Sequence, residues 1–254
     1  MKIAVTGYRG FISSHLLPEI RGEQLSLIEQ DDYPPNERVE GTDAVIHLGA
    51  IAGANPDISP YEYFEYNVKR TVDLLEAARL AKTKRFIFIS TCAVSLGVRN
   101  IYDVTKLQAE QWCEAYRGYL DDIVILRLYN VYGEGDSKSV VAKFVSAVKK
   151  GTPLVIHGTG KQTRDFIFVK DVVRAIKKVL YSGEMLNRSF EIGTGQEKSV
   201  SELVNMIFLI SGKKVPIEYG PLPYKQLEKA RCPEPLFVEN PVRLKEGLKL
   251  LLRV

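Results

Sequence analysis

The chain has 254 residues, 45% of them hydrophobic and 26% charged, which suits one large domain or a two-lobed unit of ordinary soluble composition. A formal charge of +4 with no dense basic cluster gives weak support for anionic ligands and none for nucleic acid. No apolar run reaches membrane-spanning length, Met1–Val5 starts a strand rather than a signal peptide, and the distant Cys92, Cys113 and Cys232 have no metal-ligand spacing. They read as reduced thiols of a cytoplasmic protein with no metal site and no membrane partner.

Residues 2–6 predict a short buried strand, followed at once by Gly7-Tyr-Arg-Gly10 and the apolar-periodic Phe11-Ile12-Ser13-Ser-His-Leu-Leu. Strand, glycine turn and helix in this order aim helix amides at a pyrophosphate. Gly7 allows the tight turn, Gly10 the close backbone approach, and Ser13 stands where a third glycine is usual. A second strand, 24–29, ends on Glu29, an acid suited to adenosine ribose hydroxyls, with Asp31 as its neighbour. Arg9 pulls the other way, because a guanidinium in the glycine turn could meet the 2′-phosphate of NADP. The balance favours NAD, with NADP open.

Residues 30–42 are polar and Pro-rich, too few for the helix and strand that a doubly wound half usually places there. Asp43–Ala50 is a buried strand ending in the small Gly49 and Ala50, and its His47 reads as a packed core histidine. A long helix over 61–81 carries Asn67, Val68, Thr71, Leu74, Leu75 and Ala78 at helical spacing. The strand 85–91 puts Ser90 and Thr91 at the carboxyl edge of the sheet, where ligands of such folds bind.

Tyr102 and Lys106 then stand four apart on a helix running to Tyr116, one above the other on one face. Such a pair either decorates a solvated helix or brings a cation to a phenol, favouring the phenolate. A strand at 123–128 follows, and the alternation of strands and helices predicts an α/β fold with a doubly wound parallel sheet. Beyond it come a helix over 139–150, a strand at 153–157, a glycine turn leading to Arg164 and Asp165, and extended 166–169. Asp171 is expected to cap a helix through Leu180, 190–195 form a strand and turn, and Ser199 or Ser201 starts another helix. A short helix, 244–252, follows a Pro-rich tail.

These segments resemble the extended short-chain dehydrogenase/reductase family, in its NAD-dependent sugar-nucleotide epimerase/dehydratase branch. The resemblance rests on Thr6–Leu16, His47–Ala50, Asn67, Ser90–Val94, Tyr102–Glu110, Leu126–Gly133, Gly158–Val169 and Phe190–Gly195. It implies a Rossmann NAD(P)-binding domain over 1–132, with 166–195 packing back on it, and a smaller substrate-binding lobe over 133–254. It implies a catalytic trio of Thr91, Tyr102 and Lys106, in which Lys106 lowers the Tyr102 pKa and holds the nicotinamide ribose. Cofactor contacts fall on Gly7, Arg9, Gly10, Phe11, Ile12, Glu29, Leu48, Gly49, Ala50, Asn67, Tyr102 and Lys106. Substrate contacts fall on Thr91, Asn130, Arg164 and, by a looser match, Arg231. It also implies a homodimer paired through the helices of 61–81 and 102–116.

Two departures narrow the chemistry. Dehydratases of the branch carry an Asp-Glu pair after the catalytic threonine, where this chain has Cys92-Ala93. The loop before Tyr102 and the segment 30–42 are both short, which thins the expected adenine pocket. The expectation is a C4 epimerase of a nucleoside-diphosphate sugar. The alternatives are an NADPH-dependent reductase of a 4-keto sugar nucleotide and a non-catalytic nucleotide-binding protein.

Overall fold

The computed structural model describes residues 1–221, 228–233 and 239–253. In chain order the elements are β1 Lys2–Thr6, α1 Phe11–Glu19, β2 Gln24–Ile28, α2 Asn36–Val39, β3 Ala44–His47, α3 Pro60–Phe64, α4 Arg70–Leu80, β4 Arg85–Thr91, α5 Ala93–Leu96, α6 Ile101–Tyr116 and β5 Asp122–Leu128. There follow β6 Asn130–Tyr132, α7 Val140–Lys150, β7 Leu154–His157, β8 Thr163–Phe168, α8 Val169–Leu180, β9 Ser189–Ile192, β10 Glu197–Ser199, α9 Val200–Ser211, β11 Ile217–Gly220 and α10 Leu244–Leu252.

The chain divides into two units, Met1–Arg127 with Ala175–Phe190, and Leu128–Arg174 with Glu191–Val254. The principal sheet has the order β2-β1-β3-β4-β5-β9. β2, β1, β3 and β4 pair in parallel, as a chain alternating strands with helices requires. Strands of such a sheet are covered on both faces and so read as continuous apolar runs: Ala44, Val45 and Ile46 of β3 and Phe86, Ile87 and Phe88 of β4 are fully buried. Helix α4 turns Leu74, Leu75, Ala77 and Ala78 into this core.

Between β2 and β3, residues 30–42 make only a 3-10 turn, Gln30–Asp32, and the single-turn α2, so β2 is left at the sheet edge. The helix expected over 61–81 is interrupted. Five residues, Glu65–Lys69, form a π-turn between α3 and α4. Such turns recur at functional sites, and here it carries Asn67. The segment 175–190 is tied to its unit by Arg85, whose guanidinium meets Asp122 at 2.6 Å and the carbonyls of Val179 and Ser182 at 2.5 and 2.9 Å.

The second unit has a three-stranded sheet, β10-β8-β6, and the parallel pair β11-β7. Its core joins Val141, Phe144 and Val148 of α7, Phe166 and Phe168 of β8, and Leu203, Val204 and Ile207 of α9 to Leu248 of α10. Ser199 is the cap of α9, its hydroxyl accepting from the Glu202 amide at 3.1 Å. Asp171 is not a cap. Helix α8 starts two residues earlier, at Val169, and the Asp171 carboxylate instead accepts the Val242 amide at 2.8 Å and pairs with Arg174.

Candidate active site

The glycine turn is built by close backbone approach. Gly7 has φ +64, and a Cβ there would lie 2.6 Å from the Gly49 nitrogen, so no other residue fits without displacing backbone. The Gly10 amide donates to the Gly7 carbonyl at 2.9 Å. The Ser13 hydroxyl, fully buried, donates to the same carbonyl at 2.7 Å, closing the turn where a glycine is usual. Gly10 caps α1 without any side-chain acceptor, which leaves the first-turn amides of α1 for an anion.

Beside this turn lies a cavity of about 660 Å³ wholly within the first unit, lined by residues of the turn and of the β2 and β3 ends. Of the sequence-predicted cofactor residues, Gly7, Arg9, Glu29, Gly49 and Ala50 line it. Gly10, Phe11, Ile12, Leu48, Asn67, Tyr102 and Lys106 do not. Tyr33, Tyr66 and Arg70 do line it and carry no sequence signal beyond their types.

The opposed readings of Arg9 and Glu29 meet in one contact. The Arg9 guanidinium donates to the Glu29 carboxylate at 2.6 Å, and the Tyr8 hydroxyl donates to the same oxygen. Arg9 is 75% exposed and Glu29 43%, so this is a rim pair of small energetic weight.

Asn67 is held as a bracket rather than turned to the cavity. Its carboxamide accepts the Ile51 amide at 2.8 Å and donates to the Ile51 carbonyl and the Thr105 hydroxyl, each at 3.1 Å. His47 is enclosed likewise, between the Thr6 hydroxyl at 2.6 Å and the Thr71 hydroxyl at 2.9 Å. Burial, with the Lys106 charge second, pushes its pKa down to about 3, so it is a neutral packed histidine.

Thr91 ends β4, and its hydroxyl accepts the Ala93 amide at 3.3 Å and lies near enough to the Tyr102 phenol to act on its pKa. Tyr102 is oriented by a well-capped helix start: the Asn100 side chain accepts the Asp103 amide at 3.1 Å, and the Asp103 carboxylate accepts the Arg99 amide at 3.0 Å. Burial, followed by the Asp103 charge, raises the phenol above its ordinary value, while the Thr91 hydroxyl works against the rise. The expected lowering by Lys106 is not found. The Lys106 ammonium donates to the Ile89 carbonyl at 2.7 Å and lies 3.9 Å from the Phe88 ring centre, and it is not among the charges acting on the phenol.

Burial brings Lys106 itself down to about 8, opposed by Cys113 and Glu110. Glu110, one turn further along α6, is buried and gripped by Arg127 at 2.6 Å and Ser90 at 2.5 Å. Strand ends and helix are thereby locked around Thr91, Tyr102 and Lys106.

In the second unit, Asn130 and Arg164 line a separate cavity of about 700 Å³ together with Lys143, His157 and Gln162, none of which the sequence singled out. The Asn130 amide donates to the Asp165 carbonyl at 3.2 Å, and Arg164 donates to the Thr163 carbonyl at 2.7 Å. Asp165, fully buried, gathers the amides of Thr194, Gly195 and Cys232. Arg231 does not line the cavity. It is exposed, and its Nε donates to the Gly195 carbonyl at 2.8 Å.

A sequence profile of the NAD dependent epimerase/dehydratase family matches residues 3–193. The chain belongs to that family. An uncharacterized UDP-glucose epimerase, YtcB, of Bacillus subtilis is 30% identical over 269 residues, covering 87% of this chain and 85% of the relative. Among solved structures, MoeE5 in complex with UDP-glucuronic acid and NAD superposes with a TM-score of 0.92 at 27% identity, over 100% of this chain and 98% of MoeE5. The UDP-glucuronic acid 4-epimerase of Bacillus cereus, in complex with UDP-glucuronic acid and NAD, gives 0.88 at 25% identity over 100% and 98%. The parallel sheet with flanking helices is the Rossmann-like fold of these enzymes. Among the described residues no helix is long and apolar enough to cross a membrane, and no group of three metal-ligating side chains is found.

Proposed function

We propose that this protein is an NAD-dependent epimerase that inverts C4 of a nucleoside-diphosphate sugar through a 4-keto intermediate. The observation that carries the reading is Thr91 at the carboxyl end of β4 placed near enough to the Tyr102 phenol to act on its pKa, with Lys106 one turn on along α6.

The glycine turn fits the cofactor. Its close packing on Gly49 and the uncapped start of α1 leave room and donors for a pyrophosphate, and Glu29 can accept from ribose hydroxyls. Bound there, NAD supplies a reversible hydride acceptor. Tyr102, once its own proton has passed to solvent, would take the proton of the C4 hydroxyl as the phenolate and return it from the phenol, while Thr91 would hydrogen-bond the same oxygen. The resting phenol is neutral, so it must first lose its proton, and a cation near the site favours the phenolate that results. Lys106, titrating near 8, is a cation on the same helix at neutral pH. Asn130 and Arg164 supply donors suited to a diphosphate in the cavity of their own unit.

Elimination of water, the reaction of the dehydratases in the family, needs a carboxyl pair beside the reacting carbons. Cys92 and Ala93 occupy the positions after Thr91, and the nearby Asp103 is buried and committed to Arg99 and Asn100. The reductase alternative drew on Arg9 and the short second strand; Arg9 meets Glu29 at 2.6 Å, an exposed pair that a ligand can displace. A homodimer through the helical segments 61–81 and 102–116 is supported by Tyr61, Phe64 and Trp112, which are 70%, 44% and 45% exposed on them.

The test is native mass spectrometry for retained NAD, followed by NMR of UDP-, GDP- and dTDP-hexoses after incubation without added reductant. Retained NAD and a C4 inversion support the proposal. A protein that changes no sugar's configuration but consumes NADPH would sink it.

A further inference from the structure

The wall of the cofactor cavity beyond Glu29 is thin, because residues 30–42 provide only two short helical turns. The gap is filled from α4. Arg70 lies with its guanidinium 3.9 Å from the Tyr66 ring centre and 4.9 Å from that of Tyr33, and all three line the cavity. The stack is anchored on both sides. Tyr33 packs against the core under β1 and β3, and the Tyr66 hydroxyl reaches Gln30 at 3.3 Å.

Stacking is, among the described residues, the whole of what holds this guanidinium. Among the described residues no hydrogen bond or ion pair satisfies Arg70. Two of the carboxylates that share the cavity are spoken for: Glu29 takes Arg9 and Tyr8, and Glu62 takes the Ser59 amide at 3.0 Å. A planar cation fixed by aromatic rings, with its donors directed to no protein acceptor, is pre-organised for a ligand.

We propose that Arg70, clasped by Tyr33 and Tyr66, is the binding residue for the adenosine end of NAD, in place of the wall that residues 30–42 do not form. The proposal rests on the NAD reading above. The end of the cofactor is assigned by neighbours. Glu29, suited to ribose hydroxyls, lines the same cavity, whereas Thr91, Tyr102 and Lys106 do not. The adenine ring nitrogens and ribose oxygens are acceptors, and a guanidinium is donor-only, so the chemistries match.

The test uses ADP-ribose, which carries the adenosine half without nicotinamide, titrated calorimetrically into the full chain stripped of cofactor. Arg70→Ala is expected to weaken ADP-ribose at least tenfold and to lose NAD in native mass spectrometry. Arg70→Lys, which keeps the charge but not the plane, is expected to weaken it at least fivefold. Circular dichroism checks that both variants fold, and alanine at this half-buried first position of α4 favours the helix. Binding of ADP-ribose by both variants as tightly as by the unaltered protein overturns the assignment while leaving the NAD reading intact. If the unaltered protein binds neither NAD nor ADP-ribose, the NAD reading itself fails and this inference falls with it.

Discussion

Two parts of the first unit treat polar groups in opposite ways. Beneath the glycine turn, Thr6, His47, Thr71, Asn67 and Thr105 are all buried, and they are joined by hydrogen bonds of 2.6 to 3.1 Å. At the cavity rim, Tyr8, Arg9 and Glu29 pair in the open, and among the described residues the Arg70 guanidinium meets only aromatic rings. The buried layer cannot change partners without leaving an unsatisfied group in a low-dielectric interior. The rim can exchange its contacts for water or ligand at little expense. Rigid support and adaptable recognition are thus separated by burial, although both are built from equally polar residue types.

The largest expected effect is on chemistry above the buried layer. Tyr102→Phe should lower epimerisation about a thousandfold with NAD still retained, because only the proton carrier is removed. Unchanged turnover in a sugar-panel NMR assay would remove Tyr102 from the mechanism.

Gly7→Ala comes next. The added methyl would meet the Gly49 backbone nitrogen at 2.6 Å from a positive φ, so a loss of about 3 kcal/mol in urea unfolding is expected.

His47 gives the buried layer a pH signature. Its folded pKa of about 3 lies below the ordinary 6.5, so between those values the unfolded chain binds more protons and stability rises with pH. Acidification from pH 6.5 to about 4.5 should therefore cost on the order of 2–3 kcal/mol through this residue. His47→Gln should flatten that limb of the stability curve, and an equally steep limb in the variant would assign it elsewhere.

Lys106, brought down to about 8, should set the alkaline side of turnover. The cation is present below that pH and lost above it, so kcat should hold to pH 8 and then fall about tenfold per pH unit. A profile level to pH 10 would contradict this.

At the rim, Arg9→Ala should change stability by less than about 0.5 kcal/mol, since both partners of its pair are solvated. A loss of several kcal/mol would erase the contrast between rim and interior.

Much of the architecture was legible in the chain. The apolar runs of β1, β3, β4 and β5, the glycine turn after β1 and the Tyr102–Lys106 spacing on α6 follow from local rules of burial, turn geometry and helical periodicity. The break at Glu65–Lys69 was not legible. The apolar positions of α3 and α4 keep helical spacing through it, and the π-turn is visible only once Asn67 is seen gripping Ile51 and Thr105. The early start of α8 escaped for a similar reason, since the Asp171 partner that disqualifies it as a cap lies at Val242.

The sequence by itself determined which residue types stand at the strand ends and helix starts, and hence the fold and the kind of chemistry available. Tertiary structure decided their electrical state and their company. That Arg9 and Glu29 spend their charges on each other, that Lys106 turns to Ile89 and titrates near 8, and that Arg70 is left to two tyrosines depends on contacts between residues up to dozens of positions apart. Desolvation and pairing act through space, and spacing along the chain does not encode them.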